Sequence, residues 1–174
     1  RQSAACCRQL TGTWPPARPW MAVIGAGRSS RRPAILCAPW LEDELVIFSS
    51  PDHPLGKKDQ VLMSDLVTTP WVLRERGSGA RNMFNETFAA HVNTIDIAME
   101  FRHNEPIKRA VARNVGIGCL SRRVLERELA DATLIEIDTP PPARMARRFH
   151  LIRRHTTSLP PGALMFWQQC LAMQ

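Results

Sequence analysis

Lysine is scarce in this chain, and long apolar runs, paired-cysteine motifs and enzyme signatures are absent from it. Of 23 basic residues only Lys57, Lys58 and Lys108 are lysine, within a formal charge of +7 over 174 residues. The arginine pairs Arg31-Arg32, Arg122-Arg123, Arg147-Arg148 and Arg153-Arg154 are scattered, whereas a nucleic-acid groove clusters its cations on one face. Scattered arginine with so little lysine looks more like codon bias than a polyanion groove. No apolar run approaches the roughly 18 residues that signal a membrane span, and the first residues lack the basic, apolar, small-residue order of a secretory leader. The expectation is a cytoplasmic protein with no membrane partner.

The five cysteines, Cys6, Cys7, Cys37, Cys119 and Cys170, are odd in number and show neither CxxC nor Cys/His spacing, which points to free thiols and away from disulfides or zinc. Cys119, inside an apolar run, reads as an inert core thiol. His53, His91, His103, His150 and His155 lack the clustering a metal site needs. There is no GxSxG elbow, no GxxxxGK[ST] phosphate loop and no HExxH, and the "GAG" at 25–27 runs into "RSSRR" and not into the helix of a dinucleotide fingerprint. No cofactor, no metal and no catalytic residue is expected.

What is present is a regular alternation. Residues 1–19 show no sustained period and end in prolines, so little structure is expected there. "MAVIG" reads as a buried strand before a polar loop, and "AILCAPW" and "LEDELVIFSS" as two strands ending at the "SSPDHPLG" turn cluster. "MSDLVTTP" reads as one helical turn capped by Ser64 and stopped before Pro70. Then "WVLRE", "TIDIAMEF", "GIGCLS" and "TLIEID" alternate as strands with the helical "GARNMFNETFAAH", "NEPIKRAVARN" and "RRVLERELA", the signature of βαβ units with parallel strands. A strand, "RRFHLIRR", and an apolar helix, "PPGALMFWQQCLAM", close the chain.

In the helix near Asn104, that residue is a good N-cap, Ile107, Ala110 and Val111 form the apolar stripe, and Lys108, Arg109 and Arg113 are expected to face water. The stripe Met83, Phe84 and Phe88 exceeds what a small helix needs to sit on a sheet, so part of it is expected to face a partner.

Three strand ends carry small polar residues: Gly77-Ser78-Gly79, Asn104 and Ser121. In parallel sheets ligands collect at the carboxyl ends of strands. A helix start offers free N–H groups with about half a positive charge, glycine lets a ligand approach the backbone, and Ser78 adds a hydroxyl. Each residue also has a local reading, Ser78, Asn104 and Ser121 as helix caps and the glycines as turn formers. The coincidence of the three corners on one edge favours a binding site for a carboxylate, sulfate or phosphate.

The segments "PWLEDELVIFSSPDHPL" (39–55), "WVLRERGSGAR" (71–81), "NEPIKRAVARNVGIGCLS" (104–121) and "FHLIRR" (149–154), in this order and spacing over about 135 residues, resemble the effector-binding domain of LysR-type transcriptional regulators. The resemblance implies an α/β, periplasmic-binding-protein-like (type II) fold of two lobes with a small effector in the cleft between them. It gives 20–70 and 155–174 to the first lobe and 71–154 to the second, with 1–19 unmatched, and it places Gly77, Ser78, Gly79, Asn104 and Ser121 in the effector site. It implies a homo-oligomer in intact relatives, and DNA binding through a helix-turn-helix that has no match here.

The family's opening strand and helix also have no match in 1–19, so the first lobe is expected to be incomplete. Ala5-Cys6-Cys7-Arg8 is encodable as GCC TGC TGC CGN, which contains CTG CTG CCG in a shifted frame, the family's Leu-Leu-Pro, and a frameshift or misassigned start would account for the gap. Uncovered apolar surface at about 1.5–3 kcal/mol per side chain would erode a stability of about 5–15 kcal/mol, so a fragile chain is expected. The leading expectation is the ligand-sensing domain of a LysR-type regulator. The alternative is a stand-alone solute-binding protein of the same fold, against which the regulator-like "IKRAVARNVGIGCLS" speaks.

Overall fold

The structure, a computed structural model, describes residues 23–26, 35–139, 145–154 and 158–172. The expectations for residues 1–19, including Cys6 and Cys7, lie outside the described residues, as does His155. The chain divides into two compact units, residues 1–42 with 147–174 and residues 43–146.

In the second unit, strand β3 (Trp71–Arg74) lies between β4 (Ile97–Phe101) and β5 (Ile117–Ser121), parallel to both, so the βαβ reading holds for this part of the sheet. The second half of β2 (Ile35–Ser49) pairs antiparallel with β5, Leu45 opposite Ser121 and Phe48 opposite Gly118. Short β6 (Ile135–Glu136) pairs antiparallel with β2. The sheet is therefore mixed.

Both faces of this sheet are covered, which is why its strands read as unbroken apolar runs. Side chains alternate across a strand. Leu45, Ile47, Trp71, Leu73, Ile117 and Cys119 face one way, into a core shared with helices α1 (Met63–Thr68) and α2 (Gly79–Thr87). Val46, Phe48, Val72 and Leu120 face the other way, against α3 (Asn104–Ala112) and the start of α4 (Glu126–Ala130) through Ile107, Val111 and Leu125. At the head of β5, Gly116 is required by proximity: a Cβ there would lie 2.4 Å from the Pro70 carbonyl oxygen, the same oxygen that accepts the Ile117 N–H at 3.0 Å.

In the first unit, β7 (Met145–Arg154) lies between β1 (Val23–Ala26) and the first half of β2; the β1 pairing is antiparallel, with Val23 opposite Ile152. Helix α5 (Pro161–Ala172) packs Trp167 and Cys170 on Leu151, with Ala38, Trp40, Leu159 and Leu171 around them. Arg153 sits 5.4 Å over the Trp167 ring.

Several local expectations need correction. "AILCAPW" and "LEDELVIFSS" form one 15-residue strand, β2, because the acidic residues between them find partners at strand positions: Glu42 pairs with Arg148, and Asp43 accepts from Ser121. Residues 43–70, assigned above to the first lobe, pack in the second unit, where Leu45, Leu55 and Leu66 share a core with Trp71 and Phe84. Residues 147–154 belong to the first unit.

Helix α1 begins at Met63, and Asp65, not Ser64, caps it by accepting the Leu62 N–H at 3.0 Å. "RRVLERELA" breaks into a 3-10 turn (Arg122–Val124) and α4. "TLIEID" keeps only two strand residues. Phe84 and Phe88 are each 1% exposed and meet Trp71 edge-to-face at 4.8 and 5.6 Å between ring centroids, with Met83 partly buried against the same core, so the two phenylalanines of the stripe serve their own sheet. Cys119 is buried, as the apolar run around it implies.

Candidate functional site

Because β3, β4 and β5 are parallel, their last residues, Arg74, Phe101 and Ser121, lie at one edge of the sheet. The edge therefore collects the Gly77–Gly79 corner, Asn104 and Ser121, although no hydrogen bond among the described residues joins Ser121 to the other two.

The corner is built by local rules. Gly77 has φ +92°, a conformation a side chain resists, with open space where a Cβ would stand. Ser78 N donates to the Glu75 carbonyl at 3.2 Å, and Ser78 Oγ caps α2 by accepting the Arg81 N–H at 3.1 Å. The Gly79 and Ala80 N–H groups occupy the first two helical positions, where no intrahelical acceptor exists. They remain as donors at the positive end of the helix.

Asn104 is the first residue of α3 and not its cap; His103 stands at the cap with no side-chain bond. Asn104 is tied instead to β3, since Arg74 Nη1 donates to its Oδ1 at 3.0 Å. The same guanidinium donates to Glu75 through Nε and Nη2, at 2.9 and 3.1 Å. Arg81 braces the corner: 3% exposed, it donates through Nη1 to the Arg74 carbonyl at 3.0 Å and to Glu100 at 2.7 Å, and through Nε to Asn85 at 3.0 Å. Glu100 in turn accepts the Arg76 N–H at 3.4 Å.

These pairings set the charges. The hydrogen bonds from Arg74 hold the Glu75 carboxyl below its usual range, and the bond from Arg81 does the same for Glu100. Both stay ionised at neutral pH. Around the corner Arg74, Arg76, Arg81 and Arg102 thus face two carboxylates, a local excess of positive charge that favours an anion.

Ser121 is placed differently. It is buried, and its hydroxyl donates to buried Asp43 at 2.5 Å. Its proton is committed, and a carboxylate beside it disfavours an anion at that spot.

Lys108, expected to face water, is 9% exposed and lies between Glu105 and Glu128, at 2.6 and 2.8 Å. Its aliphatic stem is covered while its ammonium is paired. Arg74, Arg81, Glu100 and Asp43 were not singled out from sequence. The flanking of Gly-Ser-Gly by Arg74 and Arg81 was a usable hint, but nothing local pointed to Glu100 or Asp43 as partners. Among the described residues no group of His, Cys, Asp and Glu is arranged to hold a metal ion, and no helix is long and apolar enough to cross a membrane.

Residues 22–174 match the family model described as the LysR substrate binding domain. The chain belongs to that family. This LysR substrate-binding domain is 42% identical over 126 residues to the HTH-type transcriptional regulator YeiE of Escherichia coli K12, covering 71% of this chain and 43% of YeiE. It is 31% identical over 128 residues to the RuBisCO operon transcriptional regulator of Allochromatium vinosum, covering 73% and 42% of the two chains. The chain thus spans less than half the length of these regulators.

Among solved structures, the regulatory domain of CcmR from Synechocystis PCC6803, in complex with 2-PG, superposes with a TM-score of 0.71 at 28% identity, over 86% of this chain and 71% of that one. The effector-binding domain of QuiR in complex with shikimate superposes at 0.68 over 83% and 67%; at 21% identity that likeness concerns the fold alone. The α/β, type II periplasmic-binding-protein-like fold class expected from the sequence is that of these neighbours.

Proposed function

We propose that this LysR substrate-binding domain senses a small anionic metabolite at the carboxyl edge of β3, β4 and β5, as the sensing part of a transcriptional regulator. The observation that carries the reading is the cluster of uncommitted donors at one corner: the Gly79 and Ala80 N–H groups and the Ser78 hydroxyl, within an excess of arginine. Gly77 shapes the approach, and Asn104 contributes from the neighbouring helix start. Ser121, whose proton goes to Asp43, accepts from an effector hydroxyl and does not hold the anion. The role is binding and not catalysis, in keeping with relatives named as transcriptional regulators. In the intact regulator we place the event in the cytoplasm, with an oligomer carrying it to DNA through a part of the protein outside this match.

The test is calorimetric titration of the full chain with 2-PG, shikimate and sulfate. At least one is expected to bind, and Ser78→Ala to weaken it by about 1–2 kcal/mol through the lost donor. A folded wild-type chain that binds no oxyanion at millimolar concentration ends this reading. Unchanged affinity in Ser78→Ala moves the ligand away from the corner.

A further inference from the structure

We infer that His53 is an acid-sensitive latch: as a neutral ring it holds the turn that carries Leu55 into the core of the second unit, and as a cation it releases that turn. β2 ends at Ser49, and the chain then turns through a 3-10 helix at Pro54–Lys57. Proline has no N–H, so the first donor of that helix is Leu55. Its N–H meets His53 Nδ1 at 3.2 Å. A backbone N–H can only donate, so Nδ1 carries no proton, and a charged imidazole, which donates from both nitrogens, does not fit this geometry.

The ring has nothing to hold a charge where it stands. His53 is 9% exposed, burial pushes it below its ordinary value, and among the described residues no carboxylate is bonded to it. On its own turn Asp52, Lys57, Lys58 and Asp59 are exposed. The end of β2 contributes the uncharged Ser49, with Ser50 after it. Gly56 lies against Ile135 of β6, whose Glu136 is paired with Arg122 at 2.6 Å. In α1, Asp65 is taken by Lys58 at 2.9 Å and by the Leu62 N–H at 3.0 Å.

The turn in question is part of the core. Leu55 is 6% exposed and shares a cluster with Leu66, Trp71 and Phe84. On protonation one N–H faces another, and the closed turn loses its cap while a buried ring gains a charge. Because the closed ring is held below the free value, the closed turn has its full stability above the free imidazole pKa of about 6.5 and loses it as pH falls toward the closed one.

The experiment is amide hydrogen exchange on the 15N-labelled full chain between about pH 7.5 and pH 5, expressed as protection factors so that the intrinsic pH dependence cancels. Leu55 protection is expected to fall at least about tenfold, within the roughly thirtyfold open to a group of pKa about 6.5 that does not charge in place. Val72, in the middle strand β3, is expected to keep its protection. In His53→Asn, whose side-chain oxygen accepts the same N–H without titrating, Leu55 protection is expected to stay level. Constant Leu55 protection in the wild type overturns the latch, as does an equal fall in His53→Asn. A fall shared by Leu55 and Val72 means that the whole unit opens, and overturns it too.

Should His53→Asn fail to fold, the ring 15N signals of the wild type decide. Nδ1 is expected to show the unprotonated signal at neutral pH and to titrate in step with the loss of Leu55 protection. A protonated Nδ1 at neutral pH, or a ring that titrates with no change at Leu55, overturns the proposal.

Discussion

Among the described residues Arg81 and Lys108 are nearly buried cations whose partners decide local stability. Removing the Arg81 guanidinium leaves the Arg74 carbonyl and Asn85 without their donor, so Arg81→Met is expected to cost about 1–3 kcal/mol, read from urea unfolding. Lys108 gives a prediction in pH. Burial pushes its ammonium down, but the Glu105 and Glu128 carboxylates outweigh this and raise it above the ordinary lysine value, while the bond from Lys108 holds Glu128 below the ordinary carboxylate value.

A raised lysine contributes stability that is complete below its unfolded pKa and is lost as pH rises through the folded one; a depressed carboxylate contributes above its unfolded pKa and is lost as pH falls through the folded one. The unfolding free-energy difference between the wild type and Lys108→Met is therefore expected to be flat from about pH 6 to 9 and to shrink on either side. A difference that does not vary from pH 3 to 11 would show that the pair contributes packing only.

At the scale of elements, the corner and α2 depend on two short-range features. Gly77 needs its positive φ, so Gly77→Ala is expected to destabilise by about 1–2 kcal/mol through backbone strain alone, since a methyl group there meets nothing. The other side of α2 is its aromatic contact: Phe88→Ala empties a site between Trp71 and Phe84 and is expected to cost about 3–5 kcal/mol in chemical denaturation. A loss below about 1 kcal/mol would mean that α2 is held by its cap and ion pairs and not by the aromatic stripe. The stripe was legible from its spacing, and its destination was not, because an apolar face looks the same whether it meets a sheet or another chain.

For the whole molecule, burial is uneven. The second unit has aromatic and aliphatic side chains on both faces of its sheet, while α5 in the first unit leaves Leu164, Met165 and Phe166 exposed, Met165 at 68%, on a helix with no charged residue. Such apolar surface promotes self-association. Met165→Lys with Phe166→Gln is expected to lower scattering and concentration-dependent sedimentation without lowering the melting temperature. If the pair of changes lowers the melting temperature instead, these side chains are serving the fold.

The sequence alone determined what depends on neighbours along the chain. The order of strands and helices follows from periodicity and from Gly and Pro punctuation. The Gly77–Ser78–Gly79 corner follows from the backbone demands of a tight turn into a helix, and the shared edge of β3, β4 and β5 from the βαβ rhythm. Only the tertiary structure decided the rest. Arg81 meets Glu100 across 19 positions, Arg74 meets Asn104 across 30, and Ser121 meets Asp43 across 78. A charge or amide carries no local mark of which distant partner it will find. The burial of Lys108 and the union of two expected strands into β2 have the same origin. In each case a group that looks solvated in sequence is kept inside by a partner that folding brings to it.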